Sequence, residues 1–424
     1  MGETSEGFPD LTAALSPPFR LPETWYRNNV ERLQARLQER GLDGILLEDA
    51  WNIIYFSGLF FTPTERPFWL FIPAKGKPVL FHPALDLDLA ESWWIEEREW
   101  YFDFPHSGPY NALAFEPGPR QDLWAWVLEN LAARGFGRAT LGVEEEPNLQ
   151  KAGQIRRVLP HAVFKVAGDL CLRMRQIKTP EEIALIRKAV GIEDYMLAYA
   201  RNLILEHGPG VTDLDVRLET ERHTAHLLMQ ALQPDGRPHV GVGIDLRFGC
   251  RAGVATAYPH PNQFPYRKIA RGDAVQIAAF VHLGGYVGEG YRALQVEPMT
   301  DLHRRMWHVH TEMVRLQAEL CGAGAACNEI AAQVLQVARD AGMARFVRHR
   351  PAHGIGMEGH QPPYLSLGDD TVLEEGMVLS NEPGLYNPEG GWGYNHSNTI
   401  LVGRGGGIVL NRTPLTPEWC WLAI

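Results

Sequence analysis

Lys178-Thr179-Pro180-Glu181-Glu182 marks a helix start in mid-chain and divides the sequence there. Thr179 is placed as an N-cap, Pro180 takes the first helical position, where its missing N–H costs nothing, and Glu182 stands where a capping box closes. The helix so started is expected to run to about Leu205 and to stop at Gly208-Pro209-Gly210. A chain of 424 residues exceeds what one core holds. The boundary therefore separates an N-terminal domain, 1–177, from a C-terminal domain, 178–424.

The two parts differ in pattern. In the first, a helix is expected over Glu23–Arg40, ending at Gly41, from the spacing of Trp25, Val30, Leu33 and Leu37. Strands are expected at Gly44–Glu48, Phe68–Ile72, Pro78–Phe81 and Ala139–Val143, with helices at Leu85–Glu97, Gln121–Arg134 and Leu149–Val158. Such alternation gives an α/β layer structure. In the second part, helices at 181–205 and from Asp213 precede strands from Val240 onward. Helices at Asp301–Leu320 and Asn328–Ala341 then precede a strand-rich end. Helix–helix–strand–strand thus occurs twice, at about 181–296 and 301–402, which suggests an internal duplication.

Charge and composition exclude several function classes. The formal net charge of −11 leaves no basic stripe for nucleic acid. Cys171, Cys250, Cys321, Cys327 and Cys420 follow neither a disulfide framework nor a metal spacing, which fits a reducing cytoplasm. Glu48, Asp49 and Asn52 interrupt the most apolar stretch, 44–61, so it cannot span a bilayer. There is no GxSxG, HExxH or GxxxxGK[ST] motif. Cys327 opens a helix, a position that lowers a thiol pKa, but no reaction partner is identifiable.

Chemistry is concentrated downstream. Tyr258-Pro-His260-Pro-Asn262, the segments from Gly272 to Ala279 and from Gly284 to Ala293, His353-Gly-Ile-Gly-Met-Glu-Gly-His360, Glu375 to Gly384, and Gly393 to Leu401 follow in order. Three of these put an imidazole or a carboxylate on a strand beside glycine, which allows close approach of backbone and ligand.

In order and spacing these segments resemble the pita-bread superfamily of prolidase, aminopeptidase P, methionine aminopeptidase and creatinase. Upstream, Asn52-Ile-Ile-Tyr55-Phe-Ser-Gly58 is similar to that family's N-terminal domain. The resemblance implies an α/β N-terminal domain and an α+β C-terminal domain, whose duplicated units surround a curved antiparallel sheet. Its peptidases hold two metal ions with two Asp, a His and two Glu. Carried onto this chain, these positions are Ala278, Glu289, His353, Glu382 and Ser397, so two ligands are missing. A two-metal site is not expected.

Metal-free creatinase also lacks the first Asp and has Glu as the second. On that resemblance the chain is expected to be a metal-independent C–N hydrolase of a small cationic or zwitterionic amidine, guanidino or amide substrate, as ectoine hydrolase also suggests. Glu289 and Glu382 would hold the cation, His260 would carry the proton, and His353 and His360 would position the scissile group. Tyr291, Tyr364 and Trp392 would line the pocket. Arg66, from the neighbouring subunit of a homodimer, would receive a carboxylate. Some positions depart from creatinase: Thr64 stands where an aromatic is expected, Tyr364 where a second Arg is, and Ser397 where a Glu is kept. Two alternatives stay open. One is an Xaa-Pro peptidase with one divalent ion on Glu289, His353 and Glu382; the other is an inactive binding protein.

Overall fold

The computed structural model of the chain describes residues 9–102, 122–232, 243–261 and 266–424. Gln121, Val240 and Asn262, named above at element and motif ends, lie outside these residues. Two compact units form: Leu21–Arg175, and Gln176–Ile424 together with the described residues 9–20. That leading stretch, assigned above to the N-terminal domain, belongs with the C-terminal core for a packing reason. Ala14 and Phe19 are buried in the same apolar cluster as Ala189 and Ile192, and Lys188 Nζ donates to the Ser16 and Pro18 carbonyls at 2.6 and 2.9 Å.

The first unit is the expected α/β layer. Its elements are α1 (Glu23–Glu39), β1 (Gly44–Leu47), α2 (Ala50–Ser57), β2 (Trp69–Pro73), β3 (Val79–Pro83), α3 (Leu87–Glu91) and β4 (Glu97–Tyr101). After them come α4 (Leu123–Leu131), β5 (Thr140–Val143), α5 (Leu149–Val158), β6 (Val163–Val166) and α6 (Gly168–Gln176). One six-stranded sheet runs β4-β3-β2-β1-β5-β6, with β1 antiparallel to β2 and parallel to β5. The helix expected over Leu85–Glu97 is cut short at Glu91. Its distal residues lead instead into β4, whose backbone pairs in parallel with β3 along its whole length. Tertiary pairing overrides local helical spacing there.

In the second unit the capping box is present, with Thr179 and Glu182 bonded reciprocally, and α7 runs Pro180–His207. It is followed by α8 (Asp213–Leu232), β7 (Asp245–Ala252), β8 (Ala274–Leu283) and β9 (Tyr286–Val296). Next are α9 (Asp301–Leu320), α10 (Cys327–Asp340), β10 (Ala352–Gly354), β11 (Gln361–Leu365), β12 (Val378–Asn381), β13 (Gly384–Asn387) and β14 (Trp392–Asn395). Last are β15 (Asn398–Val402), β16 (Gly407–Val409), α11 (Pro417–Cys420) and β17 (Trp421–Leu422). One sheet has the order β17-β9-β8-β7, a second β11-β10-β12-β15-β16, and β13 and β14 form a two-stranded third. An antiparallel bridge, Tyr291 with Ser397, joins the first two. No helix among the described residues is long and apolar enough to cross a membrane.

The five cysteines are free and buried. Burial pushes the Cys327 thiol up to about 12, so desolvation outweighs the helix N-terminus that was expected to lower it.

A neutral histidine pair stitches α9 to the seam between the sheets. His310 Nε2 accepts the His396 backbone N–H at 2.8 Å, and His396 Nδ1 accepts the Ala293 N–H at 3.0 Å. Burial holds His310 down at about 3, against an ordinary 6.5. Its contribution to stability is therefore complete above pH 6.5 and is lost as pH falls toward 3. Over that range the wild type is expected to lose stability faster than His310→Gln, by one proton, about 1.4 kcal/mol per pH unit. Urea unfolding at several pH values measures this, and parallel curves would contradict it.

Candidate active site

Strand β9 shows how the sequence builds one wall of the site. Its side chains alternate between faces. On one face are Gly288 and Gly290, where α7 crosses so closely that a Cβ on Gly290 would lie 1.6 Å from Glu193 Oε1. A Cβ on Gly288 would lie 2.9 Å from the Val190 backbone nitrogen. The opposite face carries Glu289 and Tyr291. Thr399 Oγ1 fixes the Glu289 backbone, accepting its N–H and donating to its carbonyl, both at 3.1 Å.

The other walls come from the second repeat. His353 lies in the middle of β10, and a Cβ on the next residue, Gly354, would meet the Gln361 carbonyl at 2.7 Å. Glu382 immediately follows β12, its N–H donating to the Pro351 carbonyl at 2.9 Å. Ligand atoms of Glu289, His353 and Glu382 all lie within 4.8 Å of one another. His353 Nε2 is 3.2 Å from Glu382 Oε1 and 3.9 Å from Glu289 Oε2. Its Nδ1 faces the Gly354 carbonyl at 3.2 Å, so the Nδ1 hydrogen is committed there and Nε2 points between the carboxylates.

Burial and charge set the protonation of this group. Burial raises Glu289 to about 7; His353 opposes the rise and Glu382 reinforces it. Burial works against charge on His353, but the two carboxylates beside it outweigh this and raise its pKa. Glu382 is likewise raised by burial and lowered by His353, and the lowering prevails.

The positions of the missing ligands are filled by other groups. Ala278 is the cross-strand partner of Tyr291 in β8–β9, and the Tyr291 phenol donates to Glu289 Oε1. Ser397 Oγ pairs with Ser380 Oγ at 3.0 Å, both fully buried. Neither alanine nor a hydroxyl pair supplies a bridging carboxylate, so these residues do not fit a two-metal centre. The Glu289–His353–Glu382 face does fit one ion.

A cavity of about 1390 Å³ reaches this group at Glu382; Glu289 and His353 are not among its lining residues. Among its lining residues are His260, Ala278, Tyr291, His360 and Glu382. His360 packs with its ring centroid 3.9 Å from that of His353, and both His360 and His260 are exposed. Tyr364 and Trp392 are not among the lining residues. Tyr364 carries the Arg350 guanidinium on its ring at 4.2 Å, and Trp392 packs in the core, 4.1 Å from His303. Arg66 belongs to the first unit, where it bonds Glu65 at 2.6 Å. Sequence alone missed Arg251, Gln276, His349 and Tyr386, which also line the cavity. Gln276, a polar residue near the start of the largely apolar β8, was the available signal.

Comparison with known proteins covers both units. Metallopeptidase family M24 matches residues 184–404, and the creatinase/prolidase N-terminal domain matches 29–177. The creatinase of a Bacillus species is 26% identical over 413 residues, covering 95% of this chain and 94% of its own. The Xaa-Pro dipeptidase of Lactobacillus delbrueckii subsp. lactis is 26% identical over 371 residues, covering 85% and 90% respectively. The structure of dipeptidase PepE from Mycobacterium ulcerans shares the fold, with a TM-score of 0.74 at 21% identity over 95% of this chain and 99% of that one.

Gly290→Ala tests how β9 is held. Glu193 is completely buried and also bonded by Asn411, so its carboxylate has no free space to yield. The variant is expected to lose about 2–4 kcal/mol in denaturant unfolding. A loss under about 0.5 kcal/mol, the size of an ordinary surface change, would contradict the close α7–β9 packing.

Proposed function

We propose that this chain, which belongs to metallopeptidase family M24 and hydrolyses C–N bonds, cleaves the amide bond of a small peptide of the Xaa-Pro dipeptide class, with one divalent ion held by Glu289, His353 and Glu382. The observation that carries this is the convergence of three donors on one point, with His353 Nδ1 engaged by a backbone carbonyl. That second contact is the usual support of a metal-binding imidazole. When bound, the ion supplies Lewis acidity to the scissile carbonyl.

The chain's own residues do the rest. His260, on the exposed rim, passes a proton between water and the departing amine. His360, packed at a tilt against His353, limits where the peptide can lie. Tyr291 holds the Glu289 carboxylate in one orientation through its phenol. Arg66 is proposed to reach the carboxylate end of a substrate bound by the partner in a homodimer.

A second reading has its own supporting observation. The Tyr291 phenol donates to Glu289 Oε1, which satisfies that oxygen by a hydrogen bond without an ion. A guanidino substrate could then meet the carboxylates directly, as the chain's similarity to a creatinase suggests.

Turnover of Xaa-Pro dipeptides, cyclic amidines and guanidino acids, with and without EDTA, separates the two. Dipeptide hydrolysis abolished by EDTA is expected. Turnover of guanidino acids alone, unaffected by EDTA, would replace the first reading with the second. His260→Ala is expected to lower kcat by about 10²- to 10⁴-fold, and unchanged kcat would remove His260 as the proton carrier.

A further inference from the structure

Arg251 is a half-buried cation lacking a counter-charge. It lies on β7 opposite Gln276 of β8, and both side chains line the cavity that also contains Glu382 and Tyr291. Nε and Nη2 both donate to Gln276 Oε1, and Nη1 donates to the Pro259 carbonyl at 2.8 Å. Every partner is a neutral oxygen. Among the described residues no carboxylate lies within ion-pair distance of Arg251, and the ionisable groups nearest in effect are the phenols of Tyr386 and Tyr291. Arg292, buried on β9 two strands away, contrasts with it: Asp194 and Glu193 balance that charge.

An uncompensated guanidinium is costly to keep out of water. Its fork also has spare capacity. A guanidinium carries five N–H groups; the bonds to Gln276 and Pro259 engage one on each nitrogen, which leaves one on each Nη. Two parallel N–H groups at the end of the fork match a carboxylate bidentately. Gln276 sets that orientation: its Nε2 donates to the Asn395 carbonyl at 3.1 Å, which turns Oε1 toward Arg251.

We propose that Arg251, positioned by Gln276, binds the carboxylate of the substrate, so that the cavity selects small molecules with a free acid at the end away from Glu289, His353 and Glu382. This rests on the hydrolase reading for the identity of the scissile bond, but concerns a different residue and a different part of the substrate.

The test is binding, so that it does not depend on turnover. Calorimetry on the purified full chain compares three acid and amide pairs: proline with prolinamide, glycylglycine with its C-terminal amide, and guanidinoacetate with guanidinoacetamide. At least one acid is expected to bind about 10- to 100-fold more tightly than its amide. Arg251→Met is expected to erase that preference while the amide still binds. Gln276→Leu, which keeps the charge but removes the anchor, is expected to reduce the preference several-fold, and it serves should Arg251→Met fail to fold. Equal binding of acid and amide in every pair, no binding of any acid, or a preference untouched in the variants would each overturn the proposal. An Arg251-dependent preference in a protein that cleaves no dipeptide would sustain it and defeat only the peptidase reading.

Discussion

Two carboxylates and an imidazole, almost wholly removed from water, occupy one point between the two halves of the C-terminal unit. Leaving one of them buried alone would cost several kcal/mol. Together they offset one another: the carboxylates raise the His353 pKa, His353 lowers that of Glu382, and burial raises that of Glu289. The rest of the unit follows from holding these groups within 4.8 Å of one another. Glycines at 288 and 290 let α7 close on β9, Gly354 lets β10 approach β11, and Thr399 ties the Glu289 backbone to β15.

The same seam explains how the site differs from a two-metal one. The sheets of the two repeats are joined by the bridge between Tyr291 and Ser397. Both residues stand beside positions where the superfamily's peptidases carry ligands or carry them outright. A phenol reaching Glu289 and a buried hydroxyl pair therefore replace charge with hydrogen bonds in the tightest part of the fold. Such neutral bonds satisfy the buried oxygens without a second cation. Of the surviving donors Glu382 lines the cavity, and Glu289 and His353 are buried behind it.

Much of this was legible from local chemistry. Thr179-Pro180-Glu182 marked the start of α7, and the ends of α5 and α9 fall where helical spacing put them. Glu289, His353 and Glu382 were nameable because the segments that carry them resemble the motifs of the pita-bread superfamily in order and spacing. What was not legible depended on partners far along the chain. The strand over Glu97–Tyr101 exists only through pairing with β3. Residues 9–20 join the C-terminal core through Ala14 and Phe19, which periodicity in a short stretch does not reveal. Trp392 looked like a pocket aromatic, but its contacts with His303 and Tyr394 make it core. Arg251 is informative only once it is seen that, among the described residues, no carboxylate pairs with it.

Glu289, His353 and Glu382 form a group that could hold one cation, and Ala278 and Ser397 do not extend it to two. Titrating the chelator-stripped chain with Zn2+ or Mn2+, with bound metal counted by elemental analysis, measures that capacity directly. One ion per chain is expected, lost in His353→Ala while the fold is retained; a count of zero or of two in the wild type would contradict it.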